Sequence, residues 1–176
     1  KNTIKILGSD ANTYAQGYFV YDSRKSGSRT TSHLRFGPNP IEAPYLVTKA
    51  GFIGIHAWGI LESIDVLTMA REGTTVLLNS PYGPDEVWSK LPSTFQQQVV
   101  DKKLDLWTID ALSVAREVGL RNRTNTILQT CFFAISGVLP KDEAIERIKD
   151  SIQKTYGKKS QKIVEMNHAA VDASLE

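Results

Sequence analysis

The strongest constraint on the fold is a strand, helix, strand succession lying between Thr74 and Asp110. Thr74-Thr75-Val76-Leu77-Leu78-Asn79-Ser80-Pro81 is a run of β-branched and aliphatic residues that ends on polar ones, and Leu104-Asp105-Leu106-Trp107-Thr108-Ile109-Asp110 is a second such run. Between them, Pro92 to Lys103 fits a helix, with Pro92 near the first turn and Phe95, Val99 and Val100 as the buried face. Parallel neighbours need a helical crossover of this kind, so the pattern predicts a Rossmann-like α/β core, a mainly parallel sheet with helices on both faces. Ligands of such sheets sit beyond the carboxyl ends of the strands. Asn79, Ser80 and Asp110 fall at that rim, where plain strand termination and helix capping compete with a ligand role.

The flanking sequence supplies further elements. Ile4-Lys5-Ile6-Leu7 reads as a short strand closed by Gly8, followed by turn chemistry at Ser9-Asp10-Ala11-Asn12. Phe52-Ile53-Gly54-Ile55-His56 is another apolar strand, and Ile60, Leu61, Ile64, Leu67 and Met69 fall near helical spacing that ends at Gly73. Asp110 is placed to cap a helix over Ala111 to Val118, stopped by Gly119. Thr124 is placed to cap a helix carrying Ile127, Leu128, Cys131, Phe132 and Ile135, apolar on most sides and therefore central. Glu143 to Tyr156 is amphipathic, Gly157-Lys158-Lys159 breaks it, and Ser160 to Ser174 forms a last helix. On that helix Ile163, Met166, Ala170 and Val171 make the apolar side, which leaves Asn167 and His168 off it and facing solvent.

The segment from Gly17 to Gly37 carries the chain's most concentrated charge. Tyr18 to Asp22 and Thr31 to Phe36 read as two strands of a hairpin, joined by a Ser/Gly loop in which Gly27 takes the turn. Arg24, Lys25, Arg29 and Arg35 lie in or beside that loop with no acid between them, and His33 adds a donor. A basic run of this kind is commonly a solvated face. Here Asp22 and His33 at the strand ends mix acceptors and donors with the positive charge, a combination suited to a phosphate-bearing ligand with polar amide or adenine groups. Phe36-Gly37-Pro38-Asn39-Pro40 ends the hairpin.

At 176 residues the chain is read as a single domain spanning 1–176, and 41% apolar against 23% charged residues makes it globular. The net charge of +2 gives no bulk field for nucleic acid, so positive potential has to be local. Cys131 is the only cysteine, which excludes an internal disulfide, a Cys-x-x-Cys pair and a cluster ligated within these residues, and points to a cytoplasmic compartment. The longest apolar stretch, Thr130 to Leu139, is well short of the roughly 20 residues of a membrane span. The start, Lys-Asn-Thr-Ile-Lys-Ile-Leu-Gly, lacks a Met and a signal-peptide pattern and reads as a piece of a longer protein.

Neither a Gly-x-Gly-x-x-Gly nor a Gly-x-x-x-x-Gly-Lys-Ser/Thr loop is present. His33, His56 and His168 have no metal-ligand spacing, and Ser80 lacks a Gly-x-Ser-x-Gly elbow. Cys131 reads as a core residue, since burial raises a thiol's pKa and no base stands beside it in sequence. The residues describe a binding module with an anion-seeking hairpin and no catalytic set of their own.

Gln16-Gly17-Tyr18-Phe19-Val20-Tyr21-Asp22-Ser23, Ser32-His33-Leu34-Arg35-Phe36-Gly37, Leu77-Leu78-Asn79-Ser80-Pro81-Tyr82, Asn125-Thr126-Ile127-Leu128-Gln129-Thr130-Cys131-Phe132-Phe133-Ala134 and Lys154-Thr155-Tyr156-Gly157-Lys158-Lys159 are spread over the whole chain. In these strings it closely resembles the gamma region of the pyruvate:ferredoxin (flavodoxin) oxidoreductases, of the 2-oxoacid:acceptor oxidoreductase family. The resemblance implies one domain of a multidomain, homodimeric enzyme that oxidatively decarboxylates pyruvate to acetyl-CoA and carbon dioxide and passes electrons to ferredoxin or flavodoxin. It implies thiamine diphosphate, Mg2+ and 4Fe–4S clusters held elsewhere in the parent, with coenzyme A as the co-substrate that this domain helps hold. The fragment alone is expected to be inactive. Carried over by motif, the coenzyme A contacts fall on Asp22, Asn125 and Asn167, with Lys25 added as a phosphate partner. The family's glycine-rich loop, whose backbone N–H groups would cradle phosphate, lies upstream of Lys1-Asn2 and is missing from these residues. The competing reading is a structural docking module whose basic hairpin meets neighbouring domains or the acidic electron carrier. Nucleic acid and membrane are not expected partners.

Overall fold

The computed structural model describes residues 2–8, 12–21 and 29–176, and the chain divides into two compact units, Lys1–Thr48 and Lys49–Glu176. In the first unit, helix α1 (Asn2–Gly8) precedes an antiparallel pair, β1 (Tyr14–Tyr21) and β2 (Thr30–Gly37). The hairpin expected from the sequence is present, and its register sets Tyr18 opposite His33 and Gln16 opposite Arg35. Arg35 Nη1 donates to Gln16 Oε1 across the pair at 3.2 Å, and its guanidinium lies 4.8 Å from the centre of the Tyr45 ring. His33 lies mid-strand and is buried, so it does not serve as an exposed donor at the hairpin tip. Asp22, Arg24, Lys25 and the Gly27 turn fall outside the described residues.

The strand expected at Ile4-Lys5-Ile6-Leu7 is instead the body of α1. Alternation would have buried Ile4 and Ile6 against an exposed Leu7. Ile6 and Leu7 are both buried, with Thr3 and Ile4 half-buried one turn earlier, which is the face of a helix. The Ile4 side chain occupies the space that a Cβ on Gly17 would need, so α1 rests directly on the β1 backbone.

The second unit is built on three parallel strands in the order β3 (Ala50–Ile55), β4 (Ala70–Asn79) and β5 (Asp105–Ile109). Val76 and Leu78 of the central strand face one layer, where Leu61, Leu67, Val87, Phe95 and Val99 close the core. Leu77 faces the other, with Ala111, Ala115, Ile127, Leu128 and Ala170. The first layer holds α2 (Pro84–Lys90) and α3 (Ser93–Asp101); the second holds α4 (Ala111–Glu117), α5 (Asn125–Ser136) and α7 (Gln161–Ala173), with α6 (Lys141–Tyr156) packed on α5 and α7. This is the α/β architecture anticipated, a parallel sheet covered on both faces with helices at the carboxyl end of the chain.

Two local expectations change. The helix read over Ile60 to Met69 is a pair of short 3₁₀ turns, Trp58–Glu62 and Val66–Met69, the second capped by Asp65 Oδ1 accepting from the Leu67 N–H at 3.3 Å. Gly73 does not end a helix but sits inside β4 at φ +74°. Its left-handed backbone accommodates an irregularity in which Ala50 pairs with Ala70 while Phe52 pairs with Thr75. Buried Thr74 closes the gap: its Oγ1 donates to the Ala50 carbonyl at 2.7 Å and accepts from the Arg71 N–H at 3.0 Å. Helix α2 was not foreseen. Pro84 at its start and Asp85 and Glu86 in its first turn are the signals that mark it.

Candidate functional site

The carboxyl rim of a parallel sheet is where such folds hold ligands, and here its polar residues are occupied by the fold. Asn79 Nδ2 donates to the His56 carbonyl at 3.0 Å and its Oδ1 accepts from the Ala111 N–H at 3.1 Å, tying the ends of β3 and β4 to the start of α4. Ser80 is buried; its Oγ donates to the Tyr82 carbonyl and accepts from the Tyr82 N–H, at 3.1 and 3.0 Å. Asp110 caps α4, accepting from the Ser113 N–H at 3.0 Å and the Ser113 hydroxyl at 2.6 Å. Desolvation pushes the Asp110 carboxyl up, but the bonds from Ser113 and Leu112 and the charge of Arg116 outweigh it and hold it below the ordinary value of 3.8. Strand termination and capping account for all three residues.

The start of α5 presents a second set of polar groups. Asn125 is its first residue and is exposed to solvent. Thr124 precedes it with φ −92° and ψ −5°, a helical conformation, and its side chain makes no cap bond, contrary to the expectation that it would. The first intrahelical bond runs from the Leu128 N–H to the Thr124 carbonyl at 3.0 Å, so the N–H groups of Asn125, Thr126 and Ile127 point outward from the open turn. Helix α5 carries no acid in that turn.

Asn167 lies against the same turn, and not facing solvent as its sequence position implied. It is only 6% exposed, in line with buried Val164 and Val171 on α7. Its Oδ1 accepts from the Thr126 hydroxyl at 2.7 Å and its Nδ2 donates to the Ile163 carbonyl at 2.8 Å. Thr130, also buried, donates from Oγ1 to the Thr126 carbonyl at 2.8 Å. The structure therefore brings Asn125 and Asn167 together through Thr126, which sequence reasoning missed. The available signal was the spacing of Val164, Asn167 and Val171, three and four residues apart, which is the spacing of a buried stripe. Asp22 and Lys25 lie outside the described residues.

Cys131, six residues into the same helix, is 6% exposed and its Sγ donates to the Ser174 carbonyl at 4.0 Å. Burial pushes its thiol up to about 11, which keeps it protonated and removes it as a nucleophile. Among the described residues no group of three or more His, Cys, Asp or Glu side chains is placed to hold a metal ion, and no helix is long and apolar enough to cross a membrane. The arrangement offers an amide, open backbone donors and neighbouring arginines at Arg121 and Arg123, which suit recognition of an anion with polar amide groups.

Comparison with known proteins matches the whole chain. The family model for pyruvate ferredoxin/flavodoxin oxidoreductase covers residues 1–176. The chain is 56% identical over 175 residues to the pyruvate-flavodoxin oxidoreductase of Rhodospirillum rubrum, covering 99% of this chain but 15% of that protein. Among solved structures it superposes on the pyruvate oxidoreductase subunit PORC of Thermotoga maritima with a TM-score of 0.71 at 19% identity, covering 99% of this chain and 86% of that one. It also superposes on a 2-oxoglutarate:ferredoxin oxidoreductase from Magnetococcus marinus, solved with 2-oxoglutarate, coenzyme A and succinyl-CoA bound, with a TM-score of 0.69 at 13% identity, covering 99% of this chain and 27% of that one.

Proposed function

The chain belongs to the pyruvate ferredoxin/flavodoxin oxidoreductase family, and from that membership we propose that it is the domain that holds coenzyme A while the chemistry proceeds elsewhere in the parent enzyme. The observation that carries this reading is the pairing of exposed Asn125 with the open first turn of α5, fixed in place by the half-buried Thr126–Asn167 bond. Coenzyme A combines phosphates with a chain of amides. The groups at this turn fit both: backbone N–H and guanidinium donors for phosphate, and the Asn125 amide as paired donor and acceptor. The relative from Magnetococcus marinus, solved with coenzyme A bound, supports the same assignment through fold. Asp22 and Lys25 join the proposed contacts on family resemblance alone.

Asn167 enters this reading chiefly as a positioning residue. Each polar end of its amide already makes one bond within the fold, and at 6% exposure little of the remaining lone pair and N–H is open to a ligand. In the parent, decarboxylation of pyruvate to acetyl-CoA would rely on thiamine diphosphate and Mg2+, and electron transfer to ferredoxin or flavodoxin on 4Fe–4S clusters, all held by other regions. The chain spans about 15% of the length of the curated relatives it matches, which leaves room for those regions. Calorimetric titration of the full-length oxidoreductase with coenzyme A tests the assignment: Asn125→Ala is expected to weaken binding by roughly tenfold, the loss of one or two hydrogen bonds to a charged or amide group. Unchanged affinity in Asn125→Ala and in Asp22→Ala would remove the basis for it.

A further inference from the structure

The sheet of the second unit ends on β5, and no described strand pairs with its outer side. Which backbone groups that edge offers follows from one bond. The Ser80 N–H donates to the Ile109 carbonyl at 2.9 Å, so Ile109 turns its peptide groups toward β4. Backbone groups alternate in direction along a strand, so Asp105 and Trp107 do the same, while Leu106 and Thr108 turn theirs outward. Among the described residues no hydrogen bond reaches the N–H or C=O of either.

Open strand edges are commonly blunted by lysine, proline or a bulge. Strand β5, Asp-Leu-Trp-Thr-Ile, has none of these, and its register against β4 is unbroken. The other edge strand, β3, differs: it contains Gly51 and Gly54, and its register is interrupted. Trp107 pairs in register with Leu77 and faces the same layer, yet it remains 48% exposed. Its Nε1 donates to Asp105 Oδ2 at 2.7 Å, two residues back along the strand. That bond satisfies the indole N–H and occupies the only charge on β5. What Trp107 offers a partner is therefore apolar ring surface already held in one orientation.

We propose that β5 pairs antiparallel with β5 of a second copy of this chain, about a two-fold axis at Trp107. In that register Leu106 of each copy lies opposite Thr108 of the other. Both residues face outward, so the two pairs match all their N–H and C=O groups in backbone hydrogen bonds. Trp107 meets its counterpart at a non-hydrogen-bonded position, where antiparallel strands come closest, about 4.5 Å between Cα atoms, and the two indoles cover each other. Asp105 lies opposite Ile109, so no like charges oppose each other. Five residues a side is well short of the roughly 20–30 of a free-standing interface, so this contact supplements others made by the rest of the parent. It involves none of the residues assigned to coenzyme A.

The test uses the full-length oxidoreductase. Hydrogen exchange at the Leu106 amide, resolved by fragmentation mass spectrometry, reads the edge in the unaltered protein and in Thr108→Pro and Thr108→Ala. Proline at 108 removes only an outward donor that β4 does not use, so the domain's own sheet is kept. Leu106 is expected to be protected, to exchange roughly tenfold faster or more in Thr108→Pro, and to be unchanged in Thr108→Ala. Photo-crosslinking with p-benzoylphenylalanine in place of Trp107 identifies the partner, because a product joining residues 104–110 to themselves comes only from two copies. That product is expected, and Thr108→Pro should abolish it. Fast exchange of Leu106 in the unaltered protein marks an open edge and overturns the proposal. So does protection that Thr108→Pro leaves intact. Absence of the self-product, or a product joining β5 to another segment of the parent or to another protein, overturns it as well.

Discussion

Replacing Asn167 by Leu keeps its approximate volume and removes one buried amide, so the consequence can be worked from the bonds it makes. Thr126 loses the acceptor of its 2.7 Å hydrogen bond, and the Ile163 carbonyl loses a 2.8 Å donor. The carbonyl sits in the first turn of α7, where the helix can supply its own donor. The Thr126 hydroxyl is left without its partner, at a cost of about 1–3 kcal/mol. That corresponds to a roughly 5- to 150-fold increase in the opening equilibrium of the α5 start. Hydrogen exchange followed by mass spectrometry, on peptides covering Asn125–Ser136 and Gln161–Ala173, reads this directly in the intact protein. Thr126→Val alone strands the amide oxygen instead and is expected to cost a similar amount. The double variant Thr126→Val/Asn167→Leu removes both polar partners, so it should lose much less than the sum, with a coupling of about 1–2 kcal/mol. Strict additivity, or exchange at α5 unaltered in Asn167→Leu, would refute the claim that this bond fastens the α5 start to α7.

Two further outcomes follow from protonation. Asp110 has its carboxyl held below the ordinary 3.8, so the stability it contributes is present above that pH and is lost as pH falls through the lower folded value. Asp110→Ala should cost about 1 kcal/mol at neutral pH and close to nothing in strong acid, measured as hydrogen-exchange protection of α4 across a pH series after correction for intrinsic rates. Cys131, pushed up to about 11, should react with iodoacetamide at pH 8 far more slowly in the native protein than in urea. Equal rates in the two states would contradict its burial.

The core was legible because its signals are local and agree with one another. Val76, Leu77 and Leu78 read as a strand buried on both faces, and the structure sends Leu77 to one layer and its two neighbours to the other. Asp110 and Gly119 bracketed α4 correctly, the latter at φ +83°. Failures came where distant contacts decide conformation. The Ile-Lys-Ile alternation of residues 4–6 favoured a strand, yet packing on the β1 backbone at Gly17 selects a helix. Gly73 looked like a helix stop because the bond from its N–H to the Lys102 carbonyl, 2.9 Å long, joins residues far apart in sequence.

The same distinction bears on where a ligand can be held. Asn79, Ser80 and Asp110 have the right chemistry at the right rim, but their polar side-chain atoms are committed to the ends of β3 and β4 and to the start of α4. The order β3-β4-β5 follows the chain without reversal, so these three strands by themselves form no switch-point crevice. At the α5 start the balance differs. Thr126 and Asn167 satisfy each other, and this leaves Asn125 and the open backbone donors outside. A polar pair that fixes the backbone while exposing uncommitted donors next to it is the arrangement a binding surface needs, because the cost of ordering those donors has been met before the ligand arrives.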